Sequence, residues 1–180
     1  IDDAAQLHPQ MCAGHELSDD KLTWTFTLRD GLLFHDGAKV LAKDCVQSLR
    51  RWGSRDSFGQ VLLATTNELT ALDDRRFRFR LKKPFSQMLY GLGARNCFMM
   101  PERMALTPST QQVKEAVGSG PFRFLPDEWV SGVSAAYARF DHYVPRQEKP
   151  SLYAGGKAVH FGRLEWSVQP DSATAAAALQ

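Results

Sequence analysis

The chain is poor in the residues that announce chemistry. It holds 3 cysteines in 180 residues, Cys12, Cys45 and Cys97, and no Cys-x-x-Cys spacing links any two of them. Three thiols allow one disulfide at most, so cysteine usage leaves the compartment open. The 5 histidines, His8, His15, His35, His142 and His160, are scattered, with no His-Glu-x-x-His and no Cys/His ligand spacing. Neither a structural metal nor a cofactor is expected. A Gly-x-Ser-x-Gly nucleophile elbow is missing. The carboxylate pairs Asp19-Asp20 and Asp73-Asp74 are chain neighbours in turns, whose side chains diverge, the wrong arrangement for joint acid–base work. No apolar run approaches the roughly 18 residues of a membrane-spanning helix. Lys and Arg number 22 against 20 Asp and Glu, a balance of +2 that argues for no nucleic-acid or membrane partner. Nothing positive points to an enzyme.

What is present is ordinary globular sequence, 43% hydrophobic and 23% charged, long enough for one sizeable core or two small ones. Its most informative stretch is Leu22 to Trp52, LTWTFTLRDGLLFHDGAKVLAKDCVQSLRRW. Leu22, Trp24, Phe26 and Leu28 fall on one face of an alternating strand, and Thr23, Thr25, Thr27 and Arg29 on the other. Asp30-Gly31 and Asp36-Gly37 are turn dipeptides. Ala42, Cys45, Val46 and Leu49 then recur at i, i+3, i+4 and i+7, the apolar stripe of a helix. Cys45 lies on that stripe and reads as a small buried hydrophobe.

The wording of this stretch closely resembles the signature segment of the family 5 extracellular solute-binding proteins, the peptide, nickel and opine receptors of bacterial ABC importers. The resemblance rests on Trp24-Thr25-Phe26-Thr27-Leu28-Arg29, Gly31, Phe34-His35-Asp36-Gly37, and Ala42, Asp44, Val46, Ser48 and Leu49. Leu41 stands where the family prefers a Thr N-cap, which loosens the helix start by about 1 kcal/mol, and Lys43 where it prefers Glu. Downstream, Gly118-Ser119-Gly120-Pro121-Phe122 resembles the family's turn into a strand, Arg139-Phe140-Asp141-His142-Tyr143 its Arg-Asn-x-x-Tyr-Trp element, and Pro170-Asp171 with the alanine run its Pro-Asp-x-x-x-x-x-x-Ala-Leu segment. Gly118 to Gly120 lacks the helix that a phosphate cradle needs after it. It therefore reads as backbone geometry.

Elsewhere, residues 1–21 read as an irregular lead-in, with Pro9 and Gly14 breaking any helix. Gly53 to Gln60 reads as a polar loop, with a short helix from Val61. Glu68 to Lys82 reads as a β-hairpin, in which Phe77, Phe79 and Leu81 alternate with Arg76, Arg78 and Arg80. The arginine stripe reads as the solvated outer face of a half-buried sheet. A short helix over Phe85 to Leu92, a short apolar strand over Cys97 to Met100, one helical turn over Glu102 to Leu106 and a further short helix from Pro108-Ser109 follow. From Gly118 the pattern is strand-rich, Pro145 to Lys157 is a surface loop, and Asp171 caps a final helix.

The expected fold class is α+β, a partial periplasmic-binding-protein type II-like fold whose mixed or antiparallel sheet is flanked by helices. The resemblance implies a non-enzymatic, periplasmic receptor of two lobes that close on a peptide or similar small polar solute and dock on a permease. Ile1-Asp2-Asp3 is no secretory n-region, and the chain ends inside a helical pattern. It is expected to be a piece of lobe I: residues 1–21 crossing, 22–117 in the smaller subdomain, 118–180 in the main one. Placement by the resemblance makes Phe58, Arg95, Asn96 and Cys97 the candidate ligand contacts: Phe58 by packing, Arg95 by pairing with a carboxylate, Asn96 by bonding an amide. Two alternatives stand beside this reading, a solute-sensing domain of a cytoplasmic transcription regulator and a nickel-chelate-binding importer subunit.

Overall fold

A computed structural model describes residues 1–93 and 97–178. Two antiparallel sheets carry them. The first contains β1 (Cys12–Leu17), β2 (Thr23–Leu28), β3 (Thr66–Ala71) and β4 (Arg76–Leu81), in the order β1-β2-β4-β3. The second contains β5 (Phe122–Phe124), β6 (Ser134–Arg139) and β7 (Arg163–Ser167), in chain order. The helices are α1 (Ala42–Gly53), α2 (Ser57–Thr65), α3 (Met88–Leu92), α4 (Glu102–Ala105) and α5 (Ser172–Ala177).

The core forms where two periodicities meet. In β2, Trp24, Phe26 and Leu28 are buried while the threonines between them are half-exposed, as a period of two requires. Register sets Trp24 opposite Phe79 and Phe26 opposite Phe77, so four aromatic rings share one face. Phe26 and Phe77 stack with centroids 5.2 Å apart, and Phe26 meets Phe79 edge-on at 6.3 Å, geometries that suit the ring quadrupole. Helix α1 lays Ala42, Cys45, Val46, Leu49 and Trp52 against this face. Each fully buried side chain of this size contributes roughly 1.5–3 kcal/mol by leaving water. The arginines of β4 stand on the other face, where Arg76 pairs with Asp73 (2.7 Å) and Arg78 with Glu68 (3.2 Å).

Five details differ from the sequence expectation. The lead-in is not irregular: Cys12–Leu17 forms β1, paired to β2 across a register shift between Cys12 and Gly14. Gly53 to Gln60 is not all loop, because Asp56 accepts hydrogen bonds from the N–H groups of Phe58 (2.9 Å) and Gly59 (3.0 Å) and so starts α2 at Ser57. Residues 97–100 make no strand; Met100 bonds through its N–H and C=O to the Ser48 hydroxyl instead of a neighbouring strand. A turn occupies Ser109-Thr110 in place of a helix, and α3 begins at Met88, three residues after Phe85. The expected hairpin, the turn of helix at Glu102, the three strands after Gly118 and the Asp171 cap, whose carboxylate accepts from Thr174 N–H at 2.9 Å, are all present.

The two sheets are tied by polar side chains. The Arg29 guanidinium, at the end of β2, donates to Val144 O (2.7 Å) and Gln10 O (3.1 Å). Arg146 donates to Cys12 O (3.0 Å) and grips Glu148 with a bidentate pair. His35, in the loop between β2 and α1, bonds the Gly118–Gly120 turn through backbone and ring.

Candidate functional site

An open cavity of about 360 Å³ lies where the outer side of α1 faces the segment after α3. From the helix and its C-terminal end come Ser48, Arg51, Trp52, Arg55 and Asp56. Phe98, Met100 and Ser109 supply the opposite wall. That wall is held to α1 by buried polar groups. Ser48 donates to Met100 O (3.1 Å) and accepts from Met100 N–H (3.0 Å), and Asp44 accepts from Glu102 N–H (2.7 Å). An Asp and a Ser buried on a helix face would cost free energy without partners. Here they satisfy backbone groups that no strand or helix does.

The cavity leans positive. Arg51 donates to Thr107 O and to Gln111 O (2.8 Å), both neutral carbonyls, and pairs with no carboxylate among the described residues. The Arg55 side chain makes no hydrogen bond or ion pair among the described residues. Asp56, the one acid present, spends a carboxylate oxygen on the start of α2. The Trp52 indole N–H is buried without a hydrogen-bond partner, a deficit worth about 1–3 kcal/mol. Phe98, about two-thirds exposed, offers an aromatic surface at the rim. Such a set can hold a small solute rich in hydrogen-bond acceptors beside an apolar patch. It has no activated nucleophile, since the Ser48 hydroxyl is spent on Met100 in both directions.

The residues expected to touch ligand fall in three places. Phe58 sits half-buried on α2, its ring 6.4 Å from Trp52 and 5.6 Å from Phe85. It lies so close over Gly91 that a Cβ there would come within 1.7 Å of Cε1. Cys97 packs against the core, and burial pushes its thiol up to about 12. Arg95 and Asn96 lie outside the described residues. Neither Phe58 nor Cys97 lines the cavity: Phe58 meets its wall residue Trp52, and Cys97 precedes its wall residue Phe98. The resemblance implies that the loop Trp52–Gln60, which holds Arg55, faces the cleft, but sequence reasoning placed none of Ser48, Arg51, Phe98, Met100 or Ser109 at a ligand site. The Arg-Arg-Trp run ending α1 was the available signal, because a basic pair beside an aromatic at a helix end leaves charge next to apolar surface. Among the described residues, no group of three or more His, Cys, Asp or Glu side chains is placed to hold a metal.

Comparison with known proteins gives this geometry its context. Residues 6–180 match the profile described as bacterial extracellular solute-binding proteins, family 5 Middle. A probable peptide ABC transporter periplasmic-binding protein of Sinorhizobium fredii is 45% identical over 181 residues, 99% of this chain and 34% of that protein. A glutathione-binding protein of Pectobacterium atrosepticum is 29% identical over 92% of the chain. Among solved structures, NikA from Brucella suis in complex with Fe(III)-EDTA superposes with a TM-score of 0.78 over 98% of this chain and 34% of its own, at 19% identity, a likeness of fold alone. The chain thus spans about a third of the length of the proteins it matches. With the match running through both sheets and every helix, the chain belongs to the family 5 bacterial extracellular solute-binding proteins.

Proposed function

We propose that the protein containing this chain is the substrate-binding component of a bacterial ABC importer that takes peptides or similar small polar solutes. One observation carries the reading: 45% identity, over essentially the whole chain, to a probable peptide-transporter binding protein. The cavity beside α1 agrees with it. Two arginines without a carboxylate partner among the described residues, a buried indole N–H that bonds none of them and an exposed phenylalanine suit a solute with acceptor groups and an apolar side chain.

In this proposal the chain is part of one lobe. Residues 22–117, with β1 added to their sheet, form the smaller subdomain, and residues 118–180 form part of the main one. The second lobe, supplied by the rest of the protein, closes over the solute, excludes water and strengthens each polar contact. Phe58, Arg95, Asn96 and Cys97 remain proposed contacts, now joined by Arg55 and Phe98 from the cavity. The protein acts in the periplasm, delivers its solute to membrane permease subunits, and transforms nothing.

Native mass spectrometry of the complete protein, purified without refolding, tests the reading. A co-purifying peptide mass, displaced by added peptide, is the expected result. A protein that carries no peptide and gives no heat with a di- to pentapeptide library would overturn it. A bound metal chelate or opine in place of peptide would move the protein to a different solute class within the family.

A further inference from the structure

We propose that His35 is a pH-sensitive latch between the two sheets, closed by the neutral imidazole and opened by its protonation. The loop from Asp30 to Leu41 leaves the first sheet, and the Gly118–Gly120 turn leads into the second. His35 makes three hydrogen bonds across that joint. Its backbone N–H donates to Gly118 O (2.9 Å), its ring Nδ1 accepts from Gly118 N–H (3.3 Å), and its Nε2 lies 3.0 Å from Gly120 O. A carbonyl can only accept, so Nε2 must carry the proton. A backbone N–H can only donate, so Nδ1 must be bare. These two contacts together select one neutral tautomer out of the three states of the ring.

Protonation reverses one of them. Imidazolium carries a hydrogen on Nδ1 that points at the Gly118 N–H, so an attraction becomes a clash of donors. The ring cannot flip to escape, because exchanging Nδ1 and Nε2 would again set an N–H against Gly118 N–H. The ring is half-buried and meets the Phe140 ring edge-on at 5.1 Å, from the turn that follows β6. Leaving the site therefore also exposes Phe140, which is 7% accessible.

The charges around the ring are divided. Arg123, on β5, opposes a second positive charge. Asp36, the next residue in the loop, favours one, but its carboxylate is engaged by Arg103 of α4 at 3.0 Å, which in turn holds Glu115 at 2.7 Å. Beside Phe140, Asp141 is paired with Arg139 (2.7 Å), and the His142 ring meets Phe140 at 5.8 Å. No unpaired carboxylate in this set is available to welcome imidazolium. Burial is the largest influence on the ring; with Arg123 it outweighs the Gly120 O hydrogen bond and Asp36, which favour imidazolium, and holds the His35 pKa below its usual value of 6.5. The latch is independent of which solute the protein takes.

The test is nitrogen-15 NMR of the full chain across pH 4.5–8, combined with amide hydrogen-exchange protection factors. The expected ring signals are those of the Nε2–H tautomer. They titrate below 6.5, and the Gly118 amide shift moves with the same midpoint. Protection at Gly118 and over β5 (Phe122–Phe124) is expected to fall at least tenfold across that midpoint, while protection in β2 and β4 holds. His35→Gln offers one donor and one acceptor that do not titrate, so its protection step should vanish. Three outcomes would overturn the latch: a ring in the Nδ1–H tautomer, a ring that titrates without moving Gly118, or a step that persists in His35→Gln. The first two are read on the unsubstituted protein and so do not depend on the variant folding.

Discussion

The Asp44 carboxylate joins two helix starts at once: Oδ2 accepts from Leu41 N–H at 2.8 Å and Oδ1 from Glu102 N–H at 2.7 Å. The first contact is half of a capping box on its own helix; the other half needs a side-chain acceptor at Leu41, which leucine lacks. The second reaches 58 residues along the chain to the first residue of α4. A side chain 5% exposed thereby sets the height of the cavity wall over α1.

Removing this carboxylate should destabilise the fold more than any surface charge change. Asp44→Ala leaves two backbone donors unmet, and each hydrogen bond to a charged group is worth about 1.5–3 kcal/mol, so a loss of about 3 kcal/mol is expected. Asp44→Asn keeps one acceptor and should lose about half of that. Urea unfolding monitored by tryptophan fluorescence measures both. An Asp44→Ala protein as stable as the parent would disprove the two-helix role.

Gly91 is required by its neighbour rather than by its backbone. Its missing Cβ leaves room for the Phe58 ring, which would otherwise overlap it at 1.7 Å. Gly91→Ala should cost about 1–3 kcal/mol through overpacking, despite alanine's better helix propensity. Combining it with Phe58→Leu should recover part of that loss, and a double-mutant cycle reads the coupling. Additive losses would mean that the two residues do not share the space.

The three thiols should resist modification until the protein opens. Burial raises Cys12 to about 11 and Cys97 to about 12, and pushes Cys45 higher still. Thiolate is the reactive form, so an aromatic disulfide reagent at pH 8 should label the native protein at the rate of unfolding and find three thiols in urea. The same shifts predict an alkaline limit. The folded state holds thiol protons that the unfolded chain releases near its ordinary value of 9.0, so this stabilisation is full below pH 9 and is lost as pH rises toward 11 and 12. Cys97→Ala should flatten part of that decline in melting temperature.

Acid should act on the strap that binds the 144–148 segment to β1. Arg146 holds the Glu148 carboxyl down to about 2 from its ordinary 4.5. A depressed carboxyl stabilises above the unfolded value, so this contribution is complete above pH 4.5 and fades as pH falls toward 2. The melting temperatures of the parent and of Glu148→Gln should differ at pH 7 and converge near pH 2. Equal melting temperatures at pH 7 would show that solvent screening leaves the pair without effect.

The parts legible in the sequence were those whose signal is local. Trp24, Phe26 and Leu28 alternate, Ala42 to Leu49 recur at helical spacing, and Asp171 precedes a run of helix-forming alanines. Strand β1 escaped because Cys-Ala-Gly-His-Glu-Leu has no apolar alternation and lies exposed at the sheet edge; β2 supplies its partners. The expected helix from Val61 lies within α2, but the first turn of α2 escaped because Gly59 and its polar neighbours read as loop; a Cβ on Gly59 would come within 2.6 Å of Gly53 Cα and 3.2 Å of the Trp52 ring. The cavity was legible only at its edges. Ser48 and Arg51 look like the solvent side of α1 until residues 98–111 are laid across them.

By itself, then, the order of residues determined the periodicities, the turns and the family wording, because each depends on side chains within a few positions of one another. The tertiary structure alone decided which face of α1 becomes a cavity wall, why Gly91 has no side chain, and why His35 is held in one tautomer. Those outcomes depend on groups 33, 52 and 85 residues apart in the pairs Phe58–Gly91, Ser48–Met100 and His35–Gly120. Separations of that size carry no imprint in local pattern; only the path of the folded chain brings such groups within hydrogen-bond or contact distance.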